Sequence, residues 1–156
     1  LFLDADIKNL TSEWVDKLVD GCTKRDMVRG FYQRHPRDAP VTKLIAIPMI
    51  RIFFPELSHI EQPLSGEVCA RIEVWKRLLD QNPPDGWGID VWFLIEAAMA
   101  GYHIKEIYLG IKEHTSFEDY REDVGKLAKM AEQVEFTIIK EAIKYQRIEL
   151  HKDVKT

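Results

Sequence analysis

Two carboxylates stand one residue apart near the start of the chain, in Asp4-Ala5-Asp6, directly after the apolar run Leu1-Phe2-Leu3. Such a run is typical of a buried strand, and the carboxylates that follow it emerge together into a loop. Both groups can reach a hard divalent cation whose other ligands are water and phosphate oxygens. We therefore predict that Asp4 and Asp6 bind Mg²⁺ or Mn²⁺. The alternative for Asp6 is a capping or solvated role beside Lys8.

Four further motifs follow the acidic pair along the chain. They read V-T-K-L at 41–44, P-L-S-G-E at 63–67, G-W-G-I-D at 86–90 and L-G-I-K-E-H at 109–114. Their order and spacing resemble the glucosyl-3-phosphoglycerate synthases and their relatives, retaining glycosyltransferases of the GT-A type. The resemblance runs from Leu1 to about His114. It implies metal-dependent transfer of a hexose from a nucleoside-diphosphate sugar to a small acceptor of the glycerate type, anionic or neutral.

The resemblance also implies the metal ligands, which would be Asp4, Asp6 and His114. A cation there would act as a Lewis acid and neutralise charge on the departing nucleoside diphosphate. Imidazole is an acceptable ligand beside oxygen donors, and Mn²⁺ tolerates that mixture better than Mg²⁺. The alternative for His114 is an ordinary surface histidine beside Lys112 and Glu113.

The resemblance places Asp90 close to where the donor sugar and the acceptor hydroxyl would meet. There it could accept a hydrogen bond from the acceptor or stabilise developing positive charge. An aspartate in the first turn of a helix is also favourable for the helix dipole alone, which is the competing explanation.

Four residues are implied in substrate binding: Thr42, Gly66, Glu67 and Trp87. Gly66 would allow close backbone approach and Glu67 would accept hydrogen bonds from sugar hydroxyls, whereas an ordinary turn also explains the glycine. Trp87 could stack on an apolar sugar face, although a tryptophan beside an apolar helix is more often part of the core.

The chain departs from the family at Ala39-Pro40, where the relatives have Gly-Arg immediately before V-T-E-L. That Gly-Arg pair suits an acceptor phosphate, because guanidinium binds phosphate through two hydrogen bonds. Proline removes a backbone donor, and the cation is absent. The acceptor therefore stays open, as does compensation by Arg34, Arg37 or Lys43.

Composition excludes several classes of protein. With 156 residues, 46% hydrophobic residues and a net charge of −4, the chain suits one globular domain and has no basic footprint for nucleic acid. Its longest apolar stretch, Leu44 to Phe54, is too short to span a bilayer, and two cysteines suggest no disulfide framework. We expect a cytoplasmic protein, and the abrupt start suggests that a nucleotide-binding amino-terminal half precedes Leu1.

The hydrophobic pattern predicts an α/β fold, namely the C-terminal portion of a GT-A domain with a mixed sheet, flanking helices and a long C-terminal helix. Strands are expected near 1–3, 27–33 and 104–111. Helices are expected from about Thr11 to Gly21, from Val41 to Phe54 with a kink or an early break at Pro48, from Ala70 to Leu79 and from Ile89 to Gly101.

Residues 1–115 would form the metal and acceptor side, 116–150 a long association helix and 151–156 a tail. The helix carries an apolar seam spaced by four and three residues, which is typical of two packed helices. Its members are Tyr120, Val124, Leu127, Ala131, Val134 and Ile138. The helix is expected to form a homodimer, with packing inside the chain as the alternative.

Two other functions remain open. The motif at 1–6 also resembles that of haloacid-dehalogenase-type phosphatases, in which the first Asp is a phosphorylated nucleophile. That reaction needs a later acidic pair at a strand end, whereas Glu118-Asp119 and Glu122-Asp123 fall in the predicted long helix. A non-catalytic dimerisation module is the second alternative.

Overall fold

A three-stranded mixed sheet lies at the centre of the computed structural model, which describes residues 1–33, 39–113 and 124–148. The strands are β1 (Met27–Gln33), β2 (Val68–Ala70) and β3 (Ile104–Ile111). β1 lies in the middle, antiparallel to β2 and parallel to β3. The predicted strands at 27–33 and 104–111, and the mixed α/β class, are confirmed.

Five α-helices surround this sheet in the described residues: α1 (Ser12–Lys24), α2 (Ile47–Phe53), α3 (Ile72–Leu79), α4 (Ile89–Met99) and α5 (Val124–Lys144). A π-helical segment, Thr42–Ala46, leads into α2, and a 3₁₀ turn, Pro55–Leu57, follows it. None of the helices in the described ranges is both long and apolar enough to cross a membrane.

The two faces of the sheet are covered by different helices because strand side chains alternate. Met27 packs with the buried side chains of α3 and α4, among them Trp75 and Trp92. The next residue, Val28, packs on the opposite face with Trp14 and Leu18 of α1. A polar side chain in the first half of β1 is therefore buried whichever way it points, whereas Gln33 at its end is exposed.

A third apolar cluster lies away from the sheet, between α2, α4 and α5. Ile50 and Leu94 meet Val134, Ile138 and Ala142 of α5 there. Part of the predicted seam of α5 thus packs inside the chain. Val124 is 70% exposed, and Tyr120 lies outside the described residues.

Two boundary predictions at the start of the chain are wrong. Residues 1–3 form no strand but a single bridge, in which the N–H groups of Phe2 and Val68 each donate to the other's carbonyl, at 2.7 and 3.1 Å. α1 does not end at Gly21 but continues to Lys24. A Cβ at Gly21 would lie 2.2 Å from Cδ1 of Ile107, so this glycine permits close packing of α1 on β3.

The middle of the chain differs from prediction at two further points. Val68–Ala70 is a short strand, and α3 begins only at Ile72 instead of at Ala70. The prediction was wrong here because the buried strand residues resemble the start of an apolar helix. No break occurs at Pro48, since the chain stays helical from Thr42 to Phe53, although the hydrogen bonding changes from π to α at Ile47. Pro48 then lies in the first turn of α2, where its missing N–H is harmless.

A buried carboxyl pair joins α4 to α5. Glu96 is 1% exposed and accepts hydrogen bonds from Nζ of Lys144 at 2.5 Å and from the hydroxyl of Tyr145 at 3.0 Å. Burial raises the pKa of the facing Glu141 to about 7, and the hydrogen bond that it shares with Glu96 adds to the rise. Protonated Glu141 therefore favours the folded state.

The stability contributed by Glu141 should depend on pH. Because its folded pKa lies above the ordinary glutamate value of 4.5, the contribution is complete below that value and is lost as pH rises through about 7. Between about pH 5 and pH 8, the melting temperature of Glu141→Gln should therefore fall less than that of the wild type. Thermal unfolding followed by circular dichroism measures this, with the exposed Glu135→Gln as control. Equal pH slopes in wild type and Glu141→Gln would contradict it.

Candidate functional site

The acidic motif lies at the surface, just beyond the bridge at Phe2. The side chain of Asp4 is 44% exposed, and Asp6 is also exposed, on the turn that follows. The Phe2 bridge attaches this segment to β2, which places Asp4 beside the P-L-S-G-E loop. A Cβ at Gly66 would lie 1.9 Å from Oδ1 of Asp4. Glycine is therefore required at this position for Asp4 to lie where it does.

A buried ammonium connects the acidic motif to that loop. Nζ of Lys112, at the end of β3, donates to Oδ2 of Asp4 at 2.7 Å and to Oε1 of Glu67 at 2.6 Å. The Lys112 side chain is 2% exposed and that of Glu67 is fully buried. Lys112 thus joins a buried carboxylate to a surface carboxylate.

Further contacts complete this ion cluster. The hydroxyl of Ser65 donates to Oε2 of Glu67 at 3.0 Å, so both oxygens of that carboxylate have protein donors. The Tyr32 hydroxyl lies 3.3 Å from Nζ of Lys112, and its ring centroid lies 4.9 Å away. The prediction that Glu67 binds sugar hydroxyls stays a prediction, and its carboxylate here serves Lys112.

Lys112 keeps its charge despite its burial. Burial disfavours the ammonium, but Tyr32, Glu67 and Asp4 together outweigh it and raise the pKa of Lys112 above the ordinary lysine value. A buried charge of this kind is stable only while its partners remain in place.

The chain beyond Lys112 is fixed against the acidic segment by its backbone. The carbonyl of Glu113 accepts from the N–H of Lys8 at 2.8 Å, and its own N–H donates to Oδ1 of Asn9 at 2.9 Å. Nδ2 of Asn9 also donates to the carbonyl of Ile111, at 2.8 Å. His114, the predicted third metal ligand, lies outside the described residues, one position after this contact.

Asp90 lies in the first turn of α4 and is largely removed from solvent. Burial raises the pKa of its carboxyl to about 6, against the lowering effect of Arg29, while the charges of Asp4 and Glu67 add to the rise. The carboxyl of Asp90 therefore lies close enough to Asp4 and Glu67 for their charges to affect its pKa.

Thr42 is buried at the start of the π-helical segment and lines a cavity of about 200 Å³. The other lining residues are Ala39, Lys43, Ile47, Glu61 and Gln62. The carboxylate of Glu106 on β3 fixes this loop by accepting from the N–H groups of Glu61 and Gln62, at 2.8 and 2.7 Å.

Ala39 borders the same cavity in an unusual conformation. Its φ is 57°, in the left-handed region that favours glycine. An alanine there costs about 1 kcal/mol relative to ordinary backbone. The turn expected of the family's glycine is therefore present here, made by a residue less suited to it. Arg34 and Arg37 lie outside the described residues.

Trp87 lies half-buried against the cluster of α2, α4 and α5. Its N–H donates to Oε1 of Gln133 on α5 at 3.0 Å, and the neighbouring Gly88 leaves room for Thr137, whose Oγ1 would lie 2.1 Å from an added Cβ. These contacts favour the core alternative for Trp87, and its stacking on a sugar stays a prediction.

Sequence reasoning did not identify Arg29, Tyr32, Ser65 and Lys112. One signal was present: Arg29 stands inside the apolar run of β1, where a charged residue is rarely buried without a partner. Lys112 gave no comparable signal, because its partners Asp4 and Glu67 are distant in sequence.

The carboxylates present are compatible with a divalent cation. Asp4 and Asp6 are exposed oxygen donors on one turn, and Lys112 engages only Oδ2 of Asp4 among its two oxygens in the bonds described. Within 1–33, 39–113 and 124–148, no three acidic, histidine or cysteine side chains converge as a complete metal site. Further ligands would have to come from His114, from substrate or from water.

Comparison with known proteins gives consistent relatives. A family model described as the mannosylglycerate synthase GT domain matches residues 1–130. The glucosyl-3-phosphoglycerate synthase of Petrotoga mobilis is 29% identical over 168 residues, with 99% of this chain and 49% of the relative covered. The mannosylglycerate synthase of Rhodothermus marinus is 32% identical over 114 residues, with 69% and 29% covered. The chain thus spans about half or less of these relatives.

Solved structures agree. The glucosyl-3-phosphoglycerate synthase of Mycobacterium tuberculosis in complex with Mn²⁺, UDP and phosphoglyceric acid gives a TM-score of 0.73 at 28% identity, with 90% of this chain and 47% of that chain covered. The same enzyme with Mn²⁺, UDP-glucose and glycerol 3-phosphate gives 0.72 at 28% identity, with 90% and 48% covered. The predicted GT-A-type α/β fold is confirmed.

Removing the buried ammonium should destabilise the chain because Glu67 is then left charged and unpaired. We expect Lys112→Met to cost about 3–5 kcal/mol in the free energy of unfolding, the range for breaking a buried ion pair. The double variant Lys112→Met/Glu67→Gln should recover most of this loss. Denaturant unfolding measures both, with the exposed Lys105→Met on β3 as control. A double variant no more stable than the single one would contradict the buried ion pair.

Proposed function

The chain belongs to the family of the mannosylglycerate synthase GT domain, and from this premise we propose that the whole protein is a metal-dependent glycosyltransferase. It transfers a hexose from a nucleoside-diphosphate sugar to a small acceptor of the glycerate type, with retention of anomeric configuration. The observation that supports this most directly is the buried Lys112–Glu67 pair, which presents Asp4 at the surface beside Asp6. Relatives named glucosyl-3-phosphoglycerate synthase and mannosylglycerate synthase support it, as do solved structures of the former that contain Mn²⁺ with UDP or UDP-glucose.

The donor side of the site is formed by the acidic motif. Asp4, Asp6 and His114 would hold Mn²⁺ or Mg²⁺, and a bound cation supplies Lewis-acid stabilisation of the leaving diphosphate. The backbone contacts of Glu113 with Lys8 and Asn9 support the assignment of His114, because they hold the residue before it against the acidic segment. Gly66 supports the assignment of Asp4, because a Cβ at residue 66 would collide with the Asp4 carboxylate where it now lies.

The acceptor side is the cavity of about 200 Å³ lined by Thr42. Gln62 lines it too, and Oε1 of this side chain is buried without a hydrogen-bond partner among the described residues, so a rotation of the amide toward the cavity would let it accept from an acceptor hydroxyl. A buried acceptor without a donor is costly unless a ligand satisfies it. The size suits a three-carbon acceptor, and Lys43, which also lines the cavity, suits a carboxylate on it.

Asp90 is assigned to the reacting centre between these two sides. Its carboxyl has a pKa of about 6 because it is buried, so near neutral pH it is mostly ionised yet close to its midpoint. As the anion it would accept a hydrogen bond from the acceptor hydroxyl or stabilise positive charge that develops on the sugar. Gly66 and Trp87 remain proposed substrate-binding residues.

The family match favours the transferase over the phosphatase alternative for the acidic motif. A dimerisation role is compatible with either. We keep the division into a site-bearing part, 1–115, an association helix, 116–150, and a tail as a proposal. Exposed apolar side chains in the described part of α5, among them Val124, Phe136 and Ile143 at 70%, 67% and 41%, would be available for a homodimer contact.

Asp6 should be essential for metal binding. In the full-length protein, Asp6→Asn should weaken Mn²⁺ binding at least tenfold and abolish release of nucleoside diphosphate from UDP- or GDP-sugar, because a carboxylate ligand is lost. Electron paramagnetic resonance of free Mn²⁺ gives the affinity and a coupled assay gives the turnover. Asp16→Asn, an exposed change on α1, is the control. Metal-independent turnover, or an active Asp6→Asn, would refute the proposed function.

His114 should contribute less than Asp6 but in the same direction. His114→Ala should weaken Mn²⁺ binding several-fold, since one ligand is replaced by water, and the loss should be larger for Mn²⁺ than for Mg²⁺ because imidazole suits the softer ion. The exposed His59→Ala controls for loss of a histidine. Titration calorimetry with both metals decides the matter. Unchanged Mn²⁺ affinity would remove His114 from the ligand set.

A further inference from the structure

Arg29 is a charged residue in the middle of the central strand, with no exposure to solvent. Its guanidinium donates to three main-chain carbonyls, from NH1 to Asp90 at 3.1 Å and from NH2 to Pro63 at 3.0 Å and Ser65 at 2.7 Å. Nε lies buried with no hydrogen-bond partner among the residues that the structure describes. A buried cation that donates to three neutral carbonyls and leaves one N–H unused is in an unusual environment.

The burial of this charge needs an explanation. None of the ion pairs between described residues includes Arg29. A buried charge without a paired carboxylate is costly, and an apolar residue would pack on this face of β1 beside Met27 without that cost. The desolvation is large enough to lower the pKa of the guanidinium, against the raising effect of Asp90 and Glu106.

The three carbonyls belong to the segments that carry the proposed site. Pro63 and Ser65 belong to the loop that ends in Gly66 and Glu67, and Asp90 lies in the first turn of α4. Arg29 therefore fixes the donor-side loop and the acceptor-side helix to the same strand. Five rigid donors in a planar fork suit this task, and an ammonium has no such fork.

We propose that Arg29 is a positioning residue of the transferase, which fixes the main chain under Asp90 relative to the Gly66 loop and places a positive charge on this side of the site. The proposal rests on the proposed function, because it presumes that Asp90 acts in transfer. Arg29 does so without touching a reacting atom.

The charges around Asp90 set the direction of the effect. Arg29 and Lys112 lower the pKa of its carboxyl, with Arg29 the larger, whereas Asp4 and Glu67 raise it together with burial. Loss of Arg29 therefore raises the pKa of Asp90, and the acidic limb of the pH profile of kcat/KM, which follows ionisation of Asp90, moves to higher pH.

The test is the pH profile of the full-length enzyme for Arg29→Met and Arg29→Lys. Arg29→Met should move the acidic limb up by about half a unit or more, so that activity falls more at pH 6 than at pH 8. Arg29→Lys keeps the charge but not the fork, and should lower kcat with the limb near its wild-type place. The exposed Arg51→Met on α2 is the control.

If Asp90→Asn removes the acidic limb but Arg29→Met leaves it at its wild-type pH, the proposal is overturned. The proposed function then stays intact. Should Arg29→Met not fold, Arg29→Lys decides: wild-type kcat in that variant overturns the positioning role. Full activity in Asp90→Asn overturns the assigned role of Asp90 and the proposal with it. The metal dependence of Asp6→Asn is measured separately and tests the transferase function itself.

Discussion

The buried ammonium of Lys112 is the contact on which the arrangement of the site depends. Its carboxylate partner Glu67 is fully buried, so neither charge can be solvated by water, and each is stable only in the presence of the other. The pair connects the end of β3 to the residue before β2, and through Asp4 it reaches the exposed start of the chain. The surface segment at Asp4 is thereby attached to the buried Lys112–Glu67 ion pair.

Two buried cations lie on opposite faces of the sheet. Lys112 lies beside Tyr32 on the face covered by α1, and Arg29 lies on the face covered by α4. Both reach the same short loop, since Ser65 accepts from Arg29 through its carbonyl and donates to Glu67 through its hydroxyl. The loop is therefore held from both faces, and its position defines the distance between the acidic motif and the first turn of α4.

The sequence predicted what depends on local pattern. β1 and β3 are rich in branched and aromatic residues, and α4 carries a long apolar stretch that ends near Gly101, so all three form where expected. β2 was missed because three buried residues have no period of their own, and Gly21 was misread because its role is to admit Ile107 rather than to end a helix. In the site, Asp4 could be found from its motif, whereas its contact with Lys112 joins residues 108 positions apart and follows only from the folded sheet.

The ion cluster also has a consequence for charge. One positive charge on Lys112 cancels the negative charge of Glu67, and both lie inside the protein. Asp4 shares the same ammonium, so the cluster of Lys112, Glu67 and Asp4 carries one net negative charge, and only its Asp4 end reaches the surface. A ligand that approaches this surface therefore meets a carboxylate whose position is already set from inside the protein.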